Sequence, residues 1–395
     1  MNRILVQHQE KSMLDDVQTF QKVSLNYHKN KEQDNTERID QATSEFQYDD
    51  CRDQYWNPEE YSLFYGTPLW AQSSKAQRII LNQLYWVAYY SQIISAEIST
   101  ILLNQTSAAG LSTLEDFRAV CDMLDLESAQ ERAHIHAFKK ISEDTEASLF
   151  GERLFTYPMR SMFVDTLIFY NSNQIKRFWK SLQLHAFSML SSGNAFIGCQ
   201  YFTVRGLRTL NGKIIQHALS QYYLKHPHKE NAPIPSKISF YHFMDESFHF
   251  NSSGIISHDV LKSLKSPTKF ESWVANTALR GCQKDHYYFS TAIKGIFWYD
   301  PALYPVVYKL LRSSVFNMND NEAKQMMRDC FTKENDALHQ SYKIHETAAA
   351  SYRAYLEPID YVDRDNKHMS YMSKSSISEY LVTNRRALER FIKTQ

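Results

Sequence analysis

Polar side chains dominate the first fifty residues, and the run from His28 to Asp40 (HKNKEQDNTERID) offers almost nothing to bury. Residues 1–55 therefore read as a polar N-terminal arm or exposed helix. Asn57-Pro58-Glu59-Glu60 has the form of a helix start, with Asn as cap, Pro at the first helical position and acids on the positive dipole end. From about Ser73 to Asn104 apolar residues recur at helical spacing, and Tyr90, Ile93 and Ile94 share a face with one acid, Glu97. Gly110 interrupts the pattern, and Ser112-Thr113-Leu114-Glu115 is a capping box opening a second helix to about Ser142. Pro158 to Tyr170 and Gln174 to Leu210 read as further helices. The polar, proline-containing stretch from His226 to Pro235 leads into another helix from Ser239 to Phe250. Two or three more complete the chain, taking in the aromatic run Phe297-Trp298-Tyr299-Asp300-Pro301 and the segment Glu322 to Tyr355. The fold class expected is all-α, with residues 56–395 forming one domain and no repeat at a solenoid period.

Composition sharpens this reading. Ten glycines and ten prolines in 395 residues leave long runs without punctuation, which favours helices. Lys plus Arg equals Asp plus Glu at 44 each, so the basic signature of a nucleic-acid binder is missing. Five scattered cysteines form no Cys-x-x-Cys pair, which points to reduced structural thiols in a cytosol. Met1 to Asp16 lack the apolar core of a signal peptide, and no apolar stretch is long enough to span a bilayer. A soluble, cytoplasmic protein is the expectation.

The chemistry concentrates in two phrases, Glu131-Arg-Ala-His134 and Glu246-Ser-Phe-His249, the second extended by His242 to His-x-x-x-Glu-x-x-His. On a helix each phrase projects a carboxylate and an imidazole from one face. About one Glu-x-x-His is expected by chance in a chain of this composition, so a single copy would mean little. Two copies on separate helices are harder to dismiss, and Glu97 on a neighbouring apolar helix would be costly to bury unless paired or ligating. The plain alternative is two surface ion pairs. Oxygen and nitrogen donors without thiolates suit a pair of iron or manganese ions. In that reading Glu131 and Glu246 bridge or chelate, and His134 and His249 are terminal nitrogen ligands. Glu97 serves one metal, His242 gives the other a further nitrogen, and Asp245 accepts an imidazole N–H.

The phrase His242-Phe-Met-Asp-Glu246-Ser-Phe-His249 resembles the ferritin-like p-aminobenzoate N-oxygenase family, over roughly Trp56 to Val260. The resemblance implies a ferritin-like helical bundle with additional helices, holding two irons. Glu97, then Glu131 and His134, then His242, Glu246 and His249 match its ligand order. It further implies dioxygen activation to oxidise an amine, an aryl amine or a C–H bond of a small or carrier-bound metabolite. The family's remaining Glu should fall late on the helix Gln174–Leu210, where the chain has no carboxylate. Asn194 or Gln200 could stand in weakly, Gly198 could leave the position open, and Asp165 lies too early. An open position would admit an anion such as chloride, and the gap resembles the related dimetal-carboxylate halogenases, which chlorinate unactivated carbons of acyl chains.

The leading expectation is thus an O2-dependent dinuclear iron oxygenase, with halogenation as the alternative and a non-catalytic metal-binding or scaffold bundle as a third class. Turnover requires an external electron donor. The partners expected are a small-molecule or carrier-protein-bound substrate, with no nucleic acid and no membrane; a homodimer is a further expectation. Asp336-x-x-His339, with His345 and Glu346 beyond it, reads either as a stray surface pair or as a supplementary ligand set.

Overall fold

A computed structural model of the chain describes residues 17–114, 117–155, 174–293, 303–372 and 376–395, and every regular element in them is a helix. In order these are α1 (Val17–Glu32), α2 (Thr36–Glu45), α3 (Pro68–Gln72), α4 (Lys75–Leu111), α5 (Arg118–Phe150), α6 (Gln174–Gly193), α7 (Ala195–Leu224) and α8 (Ile234–Ile255). A π-helical turn, Ile256–Val260, joins α8 to the short α9 (Leu261–Ser263). Then come α10 (Lys269–Ile293), α11 (Tyr304–Arg312), α12 (Asp320–Phe331), α13 (Asp336–Leu356), α14 (Arg364–Lys367) and α15 (Ile377–Ile392). The expected helix from Pro158 to Tyr170, Asp165 and the aromatic run Phe297–Pro301 lie outside the described residues.

Local chemistry sets the ends of these helices. α4 opens with a capping box in which the Ser74 amide donates to Gln77 Oε1 at 2.9 Å and the Gln77 amide donates back to Ser74 Oγ at 3.3 Å. α5 stops at Gly151, whose φ of 70° suits a residue without Cβ. The most extensive packing joins α4 to α5 and α7 to α8, and these four helices surround the acids and histidines described below. Their aromatic core runs from Trp86 to Tyr90 (ring centroids 4.4 Å apart) and on to Phe138 (4.1 Å). Tyr90 and Trp86 both donate to Ser239 Oγ at 3.0 Å, so their polar tips are satisfied inside the core.

Several expectations from the sequence change here. Asn57 caps no helix: Asn82 Oδ1 accepts from the Trp56 and Asn57 amides while Asn57 Nδ2 donates to Asn82 O, so α4 pins this segment as a turn. The first helix after it is α3, capped by Thr67. The long helix from Gln174 is broken at Asn194, whose side chain caps α7 by accepting from the Ile197 amide at 3.0 Å. Gly110 does not break the chain but lies within α4, where a methyl group would sit 2.3 Å from the Ser191 carbonyl oxygen. Close approach of α4 to α6, not a turn, is what requires glycine there. Gly110→Ala is expected to cost about 1–3 kcal/mol through overpacking against backbone, measured as a lower denaturation midpoint. The segment from Glu322 to Tyr355 is two helices, α12 and α13.

The polar N-terminal region forms α1 and α2, which pack on α5 and α8. Asparagines are buried here beside apolar groups: Asn26 and Asn30 on α1 and Asn35 just before α2, with Val23 and Ile39. Hydropathy alone reads such a face as solvated, because amides score as polar even when every hydrogen bond is made inside.

Candidate metal centre

Glu97, Glu131, His134, His242, Glu246 and His249 are all buried and meet between α4, α5 and α8. They form two overlapping groups. Ligand atoms of Glu97, His134, His242 and Glu246 lie within 4.8 Å of one another, as do those of Glu131, Glu246 and His249. Glu246 is common to both. Glu131 also reaches both ways, with Oε2 3.3 Å from His134 Nδ1 and Oε1 3.4 Å from His249 Nδ1. One expected grouping changes: His242 stands with Glu97 and His134, its Nε2 3.2 Å from Glu97 Oε1, rather than with His249. His242 and His249 share one stripe of α8 but stand about two turns apart along its axis, so His242 reaches the level of Glu97 while His249 lies at the level of Gln130.

Helix spacing accounts for the placement. Glu131 and His134 on α5, and Glu246 and His249 on α8, are i and i+3 pairs on one face. Phe138, one turn beyond His134, packs its ring against His242 (centroids 5.0 Å) and closes one side with apolar surface. Asp245 is fully buried, with Oδ2 3.2 Å from His134 Nε2.

The electrostatics follow from this crowding. Burial and the neighbouring Glu131 raise Glu97 well above the usual carboxylate range. Burial also opposes ionisation of Glu131, but His249 and His134 outweigh it and hold that carboxyl well below its ordinary value. Burial disfavours charge on His134 and His249, yet the acids against each raise both. His242 goes the other way, pushed down by burial and by His134. The result is a set of imidazoles and carboxylates sharing protons where cations would satisfy them better. Glu97 Oε2 makes no hydrogen bond although buried, a costly state for a polar atom unless something else engages it. The donor set therefore fits a bound metal, with its ligand atoms in two overlapping groups.

The three positions considered for a substituted ligand lie elsewhere. Asn194 caps α7 and donates to Glu271 Oε1 at 2.7 Å. Gly198 is a packing glycine: a Cβ there would be 3.2 Å from Ser107 Cα, and Ser107 Oγ donates to its carbonyl. Gln200 points to α10, Nε2 lying 3.4 Å from the Ala275 carbonyl. Asn194 ends α6 and opens α7, so these three positions lie in the first turns of a new helix. Indeed, α6 and α7 contain no Asp or Glu over their whole lengths.

What α7 supplies instead is Arg205, which the sequence reading missed. This buried guanidinium donates to Glu127 Oε2 (2.8 Å) on α5, Asn104 Oδ1 (3.1 Å) on α4, and Ser253 Oγ and the His249 carbonyl (both 2.7 Å) on α8. Glu127 precedes Glu131 by one turn, so a third acid at i−4 was the available signal. The distant pair Asp336 and His339 joins no such group. His339 is exposed and pairs with Glu334 at 2.8 Å, and His345 is buried on α13.

An all-α bundle burying two overlapping groups of carboxylates and imidazoles, in a chain matched by the family model below, is an enzyme of the dimetal-carboxylate type. A family model described as acyl halogenase CylC-like matches residues 18–392, and the chain belongs to that family. The halogenase branch, rather than the N-oxygenases it first resembled, is the one that matches. No curated protein and no solved structure matches the chain. None of the described helices is long and apolar enough to cross a membrane.

Proposed function

We propose that this protein halogenates an unactivated C–H of an acyl chain, free or carrier-bound, with dioxygen as oxidant. The observation that carries this reading is the absence of any acid on α7, one of the four helices around the centre, in a chain whose family model is an acyl halogenase. Two ions, iron first and manganese second, would be held by Glu97, Glu131, His134, His242, Glu246 and His249. Bound there, they would supply the redox chemistry that activates dioxygen. Phe138 and Tyr90 pack their rings against His242 and cover that side of the donors with apolar surface. Replacing C–H by C–Cl with chloride as source withdraws two electrons. Dioxygen accepts four on becoming two waters, so an external donor supplies the other two.

The vacated position is best placed at Gly212. Arg205 meets His249 and Ser253 on α8, while His217 lies against Phe243 (centroids 5.5 Å), so α7 and α8 are antiparallel. Gly212, seven residues after Arg205 on the same face, comes at the level of Glu246. It is buried, and among the described residues a methyl group there would meet nothing within 4 Å. Mid-helix glycine costs about 1 kcal/mol against alanine, which makes room a better reason for it than helix stability.

The test is incubation of iron-loaded protein with reductant, oxygen and a panel of free and thioester-bound acyl chains, with and without chloride. Products bearing the chlorine isotope pattern are expected only with chloride. Oxygenated products that are indifferent to halide would overturn the reading in favour of an oxygenase. Gly212→Glu should abolish chlorination while leaving the metal content unchanged.

A further inference from the structure

Each inward-facing imidazole of the α5 and α8 motifs is held from behind by a different kind of group, and both groups are anchored by α1–α2. His134 Nε2 faces a carboxylate, Asp245 Oδ2, at 3.2 Å. The other oxygen of Asp245 accepts from the Asn35 backbone amide (3.3 Å) and from Asn35 Nδ2 (2.7 Å). His249 Nε2 faces a neutral amide, Gln130 Oε1, at 3.0 Å. Gln130 and Asn30 form a reciprocal pair, Asn30 Nδ2 donating to Gln130 Oε1 at 3.0 Å and Gln130 Nε2 donating to Asn30 Oδ1 at 2.9 Å. Such a pair could flip as a unit, but Gln130 Nε2 also donates to Asp34 Oδ1 at 3.3 Å, which keeps the Gln130 oxygen toward His249. With a cation on Nδ1, both imidazoles carry their one remaining proton on Nε2, donated to the group behind. His242 is oriented without such help: its Nδ1 has no hydrogen-bond partner, and its ring is fixed by Phe138 and Tyr90.

We propose that the two metal positions are unequal by construction, with Asp245 and Gln130 as the positioning residues that set the difference and the N-terminal helical hairpin as the element that holds them. An N–H donated to a carboxylate makes an imidazole a more basic ligand than one donated to an amide. The position formed by Glu97, His134, His242 and Glu246 also has two nitrogens, against one from His249 at the other. It fills first and binds tighter. The polar asparagines of the first fifty residues thus belong to the metal centre, although they touch no ligand position themselves.

This rests on the two-metal reading of the site, and the experiment separates the two. Metal-free protein is titrated with Mn2+ by calorimetry and with Co2+ by visible absorption. The wild type should show two resolved binding steps. Asp245→Asn should weaken the tighter step by about 10–100-fold, the usual cost of losing such a partner, and leave the weaker step in place. Gln130→Leu should move only the weaker step. If Asp245→Asn does not fold, Asn35→Ala, which frees Asp245 to turn away, carries the same expectation with a smaller shift. Wild-type protein that binds fewer than two ions would refute the two-metal reading. Two ions bound with equal affinity, or an Asp245→Asn variant in which both steps move together or neither moves, would overturn the inequality alone. A purely structural role would lower melting temperature without changing the separation of the steps.

Discussion

Glu246→Ala is expected to leave a folded protein that retains neither metal ion and has no turnover. Glu246 is the one side chain common to both ligand groups. Its Oε1 lies 2.9 Å from His249 Nδ1 and 3.8 Å from His242 Nε2, so its removal takes an anionic donor from both positions at once. Loss of a carboxylate at the periphery, as in Glu97→Ala, should instead spare the position built on Glu131 and His249. Metal analysis of protein purified after iron supplementation checks both, with circular dichroism as the control for folding. Two ions per chain in the Glu246→Ala protein would show that α8 does not supply the shared ligand.

Arg205→Leu is expected to be the most destabilising substitution near the centre, by about 3–5 kcal/mol, the cost of stranding a buried charge. Glu127 has no other ion-pair partner among the described residues, and its remaining oxygen is already without a hydrogen bond. Asn104 Oδ1 and the His249 carbonyl would also lose a donor. Since Arg205 ties α7 to α4, α5 and α8 together, its loss loosens the bundle next to His249. Denaturant titration measures the effect. The double variant Arg205→Leu, Glu127→Leu should recover most of it, because an apolar pair of similar volume leaves no charge unsatisfied. A double variant as unstable as the single one would mean that packing, not charge, is what Arg205 contributes.

The helical class and the ligand phrases were readable because both are local. Sparse glycine and proline and i, i+3 spacing act within a few residues, whereas the capping box read from Ser112 does not open α5, because Ser112 ends α4 and α5 begins at Arg118 after Phe117. Glu97 was readable for a different reason: a lone acid in SQIISAEISTILL makes no sense on an exposed face. Less local features were misread. Asn57 looked like a cap because the rule sees Asn-Pro-Glu-Glu, whereas the deciding partner, Asn82, is on another element. Asn194 was taken as a candidate ligand on a continuous helix, and the same residue proved to end one helix and start the next.

The chain by itself determined that this is a helical protein carrying two carboxylate–imidazole motifs without thiolates, since those properties are set by residue type and short spacing. Only the tertiary structure decided that His242 stands with Glu97 and His134, that Arg205 ties α7 to the other three helices, and that asparagines from the polar N-terminus hold Asp245 and Gln130 behind the imidazoles. These are relations between side chains about a hundred or more residues apart in several cases, such as Asn30 with Gln130 and Asn35 with Asp245. Their energy comes from hydrogen bonds made in a buried setting, and no periodicity along the chain records which partner a buried polar group will find.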